Sequence, residues 1–187
     1  MAQLSPRDYR LIQEVRIPLE AIAVGKAAEN LTPEADAELG ALVKAMSGTS
    51  MTASEVKNFH DCDAAFHRKI WMLAGNEHLR DTLEAISFKL FVFSVVGRWA
   101  DNPKASRERV AAVKQHLAIL EGIRSRDKHV ARRVFIQETV GYWNAQYGLE
   151  LDEKELSWAG HTADQPSRPV KKKHRRLPGP TFSRARS

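Results

Sequence analysis

The chain of 187 residues contains a single cysteine, Cys62. It therefore carries no intramolecular disulfide framework and no CxxC pair, which excludes a cross-linked secreted scaffold and suits a reducing cytosol. Cys62 reads as a small apolar packing residue. Cross-linking is not required either. A chain this long buries roughly 70% of the surface it exposes when unfolded, so it folds without disulfides or a structural metal. Long apolar runs are also lacking. The N-terminal MAQLSPRDYR has no signal-peptide core, and the stretch Ser87 to Val96 is short and broken by Lys89. A soluble, cytoplasmic protein with no membrane segment is expected. Sustained apolar–polar alternation between hairpin turns is missing, which leaves an all-α core.

The body of the chain also lacks excess charge. The net charge is +6, but residues 161–187 hold eight basic side chains against Asp164 alone. The preceding 160 residues carry 21 basic and 22 acidic side chains, so they present no general case for nucleic-acid binding. The tail contains Pro166, Pro169, Pro178, Gly179, Pro180 and the run KKKHRR, with almost nothing apolar to bury. We read it as a disordered basic tail, 161–187, attached to one domain, 1–160. Without aromatic platforms such a tail offers at best salt-sensitive, sequence-blind attraction to DNA phosphates, and is as often only a solvated segment.

Six helices are expected. The first spans about Arg7 to Glu29, with Leu11, Val15, Leu19, Ile22 and Ala23 as its apolar stripe. Pro18 predicts a kink there, or a helix that begins near it. Thr32-Pro33 opens a second helix ending near Ser47-Gly48. Thr52 and Glu55 form a capping box for a third, closed by Gly75. Asn76 caps a fourth reaching about Ala100, Asn102-Pro103 opens a fifth to about Ser125, and Asp127 caps a sixth to about Gly148. One short turn near Asp152 to Trp158 follows.

Polar residues interrupt the apolar stripes. Asp63 and His67 lie one turn apart on the face of Phe59, Phe66, Ile70 and Leu73, with His60 as a further member. An ionised Asp turned towards a core is costly unless paired or metal-bound. His116 sits among Val113, Leu117, Leu120 and Ile123, and Glu138 among Ala131, Val134, Phe135 and Tyr142. His116 and Glu138 are equidistant from the turn at Asp127, so an antiparallel hairpin places them level. Asp63, His67, His116 and Glu138 could then meet at one depth. Two imidazoles and two carboxylates suit a divalent Zn, Ni, Mn or Fe ion. The plainer reading is a satisfied core histidine and a hydrogen-bonded Asp–His couple.

From Tyr9 to Tyr142 the chain resembles an FCD domain, the C-terminal effector-binding and dimerising domain of the fatty-acid-regulator branch of GntR-family bacterial transcription regulators. The resemblance rests on EVRxxLE at Glu14 to Glu20, DxxxH at Asp63 to His67 followed by AGN at Ala74 to Asn76, and HxxxL at His116 to Leu120. It implies an antiparallel bundle of six or seven helices around a cavity in which an Asp and three His commonly hold a divalent metal. Asp63, His67 and His116 match that set; the third His falls at Glu138, which would make a harder site or pair with an Arg instead. Arg16 corresponds to a first-helix arginine able to clamp an organic acid, or else forms a salt bridge. Such domains ordinarily follow a winged helix-turn-helix module. Only eight residues precede Tyr9 here, so the start lies upstream or the protein is head-less.

The expected function is a ligand-responsive regulatory domain, not an enzyme, that binds a small organic acid with metal assistance and forms a homodimer. It would reach DNA only through a missing head or weakly through its tail. Two alternatives are a metal-dependent hydrolase, which lacks a dedicated base and a Gly-rich oxyanion loop, and a purely structural helical dimerisation module.

Overall fold

Side-chain caps set the helix boundaries. The computed structural model describes residues 4–47, 52–97 and 105–157. Ser5 accepts from the backbone of Asp8, whose carboxylate accepts in return from the backbone of Ser5, and with Pro6 in the first turn this starts α1, Pro6–Asn30. Thr32 caps α2, Pro33–Met46, and Thr52 caps α3, Ala53–Leu73. Asn76 Oδ1 accepts from Leu79 N at 3.1 Å at the start of α4, Glu77–Gly97. The fifth helix, α5, runs Ala105–Arg124, and Asp127 accepts from His129 and Val130 to cap α6, Lys128–Tyr147. Asp152 caps the single turn of α7, Glu153–Leu156. Gly75 at φ +62° and Gly148 at φ +60° stop α3 and α6 in the left-handed conformation, which costs glycine no Cβ clash. The Asn102-Pro103 opening and the tail lie outside the described residues.

All elements among the described residues are helices, and they form a bundle around α1. α3, α4, α5, α6 and α7 flank α1, α2 lies against α3 and α5, and α5 packs along α6. Ile17, Leu39, Phe66, Ile70, Trp71, Leu83, Ile119 and Phe135 are fully buried in the shared core. No helix is long and apolar enough to cross a membrane among these residues.

Three expectations change. α1 continues through Pro18 for 25 residues, so no helix restarts there. Of the expected stripe Ala23 is buried and Leu19 and Ile22 pack against the core, but Leu11 and Val15 are 49% and 52% exposed. With neighbours on several sides, α1 buries Tyr9, Gln13, Arg16 and Glu20 instead, a stripe spaced four, three and four residues apart. On α5, Leu117 is exposed, while Ala112, His116, Ile119, Leu120 and Ile123 turn inward. Hydrophobicity alone misplaced Leu11, Val15 and Leu117, because polar Gln13, Arg16, Glu20 and His116 occupy part of the inward surface.

Candidate functional site

The polar stripe of α1 faces the Asp63 turn of α3. Arg16 and Glu20, four residues apart, are joined at 2.8 Å with their side chains 6% and 0% exposed. Glu20 Oε1 also takes hydrogen bonds across to α3, from His67 Nδ1 at 2.6 Å and from Trp71 Nε1 at 2.8 Å. Arg16 Nη2 lies 3.4 Å from His67 Nδ1 and 3.5 Å from Nε2, over the same ring. Burial by itself pushes the Glu20 carboxyl up, but Arg16 first, then His67 and the Trp71 hydrogen bond, outweigh it and bring the pKa down to about 2. Glu20 is thus a buried, ionised carboxylate.

Its contact with His67 has a second effect. A carboxylate holding Nδ1 turns Nε2 towards Asp63, with Nε2 3.6 Å from Asp63 Oδ1. His116 is oriented by different means. Its Nδ1 donates to the carbonyl of Ala112 at 2.7 Å, which turns Nε2 towards the cluster. That Nε2 meets Asp63 Oδ1 at 2.8 Å. Burial pushes the Asp63 carboxyl up, but His116, His67 and Arg16 outweigh this and hold it well below the usual carboxylate range. One ligand atom from each of Asp63, His67 and His116 falls within 4.8 Å of the others.

The same geometry that pairs Asp63 with the two imidazoles also lets all three offer a lone pair to one cation once the ring nitrogens facing it are deprotonated. Two imidazoles and a carboxylate, each imidazole oriented through its other nitrogen, match the donor set of a borderline divalent ion with open positions. The residues present therefore fit the metal implied by the sequence resemblance. The cluster lies on a pocket lined also by Arg16, His60, Gln115, Thr139 and Tyr142. Burial lowers the His60 pKa, so that ring is uncharged at neutral pH, and it stands outside the three-residue group.

Glu138 is not part of the cluster. It is exposed, and the inward residue at that height on α6 is Thr139, which accepts from Gln115 Nε2 at 3.2 Å. The height inferred from the hairpin is right, but each helical residue turns about 100°, so an error of one position moves a side chain to another face. Glu138→Ala is accordingly expected to leave divalent-metal binding within about twofold and stability within about 0.5 kcal/mol, as for other surface substitutions, measured by calorimetric titration and melting.

Glu20 was not among the candidates read from the sequence. Its signal was there, four residues after Arg16 in the same motif, but only the packing of α1 against α3 shows that it points inward.

The FCD domain family matches residues 11–137 of the chain. Among curated proteins, the HTH-type transcriptional repressor NanR of Citrobacter rodentium (strain ICC168) is 29% identical over 129 residues, covering 68% of the chain and 47% of that protein. The chain thus spans about half the length of this relative. Among solved structures, E. coli McbR/YncC superposes with a TM-score of 0.63 at 20% identity, over 79% of this chain and 72% of the other. This second likeness concerns the fold.

Proposed function

Because this chain belongs to the FCD domain family, we propose that it is the effector-sensing portion of a GntR-type transcription regulator, and that its effector is a small organic acid bound with the help of a divalent metal. The observation that carries this reading is the convergence of Asp63, His67 and His116 within 4.8 Å beside the buried Arg16. Three protein donors leave coordination positions for an incoming ligand, and a metal there supplies Lewis-acid attraction for a carboxylate. Arg16 adds a guanidinium whose Nη2 already serves Glu20, while its buried Nε makes no hydrogen bond. An acid reaching this edge would satisfy that donor.

The binding groups come from three helices, α1, α3 and α5. An effector touching all three favours the arrangement in which they are correctly spaced, and it shifts the population of states only by its difference in affinity between them. In this reading the domain occupies residues 1–160, the tail is an appendage, and the output passes through a homodimer to DNA-binding heads. Leu11 and Val15 on α1 and Phe88 on α4, 49%, 52% and 65% exposed, provide apolar surface on neighbouring helices for such a dimer.

Elemental analysis and calorimetry test the proposal. Purified protein is expected to take up about one Zn, Ni or Mn equivalent per chain, and the loaded protein to give saturable heat with small mono-, di- or hydroxycarboxylates. Metal uptake without binding of any acid, or no uptake at all, would overturn it.

A further inference from the structure

The acid-binding end is one half of the pocket, and the other half is aromatic. Tyr9 at the start of α1 meets the last two turns of α6, with its ring centroid 5.8 Å from that of Trp143 and 6.1 Å from that of Tyr147. Trp143 and Tyr147 lie 4.6 Å apart, and Tyr142 stands edge-on to both at 5.8 and 6.0 Å. All four rings line the same pocket as Arg16, Asp63 and His116. On α6 they follow directly on Thr139, the residue level with the polar cluster, so polar and aromatic walls are continuous.

A cluster serving only as core would be sealed. Here the three α6 rings remain partly exposed although they pack against the core, and the opening they border leads to Arg16.

From this juxtaposition we infer that the effector is an acid carrying a planar ring, its carboxylate at Arg16 and the Asp63–His67–His116 cluster and its ring stacked on the wall formed by Trp143, Tyr147 and Tyr9. The proposal rests on the acid-sensing reading above and narrows it to a ligand class. The four residues from Thr139 to Trp143 rise about 6 Å along α6, a distance suited to one ring or a fused pair with a short acid arm. Offset aromatic faces favour such a ring over an aliphatic chain of similar size.

The test is calorimetric titration of the metal-loaded chain with acetate, hexanoate, phenylacetate, indole-3-acetate and neutral indole. Phenylacetate or indole-3-acetate is expected to bind at least tenfold more tightly than hexanoate. Trp143→Leu, and separately Tyr147→Leu, should weaken the ring acids five- to tenfold more than they weaken acetate, with far-UV spectra confirming that the variants fold. If hexanoate matches the ring acids, the ring proposal fails while the acid-sensing reading stands. If indole binds as tightly as indole-3-acetate, the carboxylate has no role and both fail. Failure of every acid to bind likewise overturns both.

Discussion

Glu20→Ala is expected to destabilise the fold by about 3–5 kcal/mol, because removing one partner of a buried ion pair strands the other. Arg16 would keep its charge with its side chain 6% exposed, and His67 and Trp71 would lose the acceptor they share. Glu20→Gln should fall between the two, since an amide oxygen still accepts from Trp71 but leaves Arg16 unpaired. The double variant Arg16→Met/Glu20→Leu separates charge from packing. An apolar pair of similar volume is often as stable as the ions it replaces, so most of the lost stability should return while acid binding does not. Urea unfolding followed by far-UV signal measures all three. A loss below about 1 kcal/mol in Glu20→Ala would mean that the pair is not buried in solution.

The same pair fixes the sign of an acid response. The folded Glu20 carboxyl is lowered from 4.5 to about 2, so its contribution to stability is complete above pH 4.5 and is lost as the pH falls towards 2. Wild type should therefore lose stability across that window more steeply than the double variant.

Asp63→Ala is expected to lower metal affinity more than about 100-fold, exceeding the 10- to 100-fold that follows loss of an outer partner. Asp63 is the one anionic member of the cluster and stands between both histidines, 2.8 Å from His116 and 3.6 Å from His67. Its side chain is 21% exposed, so the metal-free variant should still fold. The decisive reading is the effect of metal on melting. At a free concentration of 100 times the dissociation constant, metal adds about 2.7 kcal/mol to wild type. That corresponds to a rise of roughly 5–11 °C for a domain of this size. Asp63→Ala should show almost none of it. An equal rise in both proteins would place the ion elsewhere.

Helix ends were legible because they are local. Thr32-Pro33, Thr52, Asn76 and Asp127 satisfy backbone groups within a few residues, so the cap and the helix it starts are encoded together. Asp63 and His67 were equally legible, since a spacing of four on a helix leaves two side chains on one face whatever packs against it. The inward face of the N-terminal half of α1 was not. Leu11 and Val15 form a plausible apolar stripe, and only the helices gathered round α1 show that Gln13, Arg16 and Glu20 take the inward side.

Glu138 marks the same boundary more narrowly. Counting from Asp127 found the correct height on α6, but the rotation that turns Thr139 inward and Glu138 outward depends on how α5 and α6 interlock. The sequence by itself determined an all-helical core, its caps, and the imidazoles and carboxylates on which a cation site depends, because these follow from contacts a few residues long. Tertiary structure alone decided that Glu20 orients His67, that Glu138 stands apart, and that an aromatic wall adjoins the acid-binding end. Each depends on residues from separate helices being brought within a few ångströms, and no spacing along the chain specifies that.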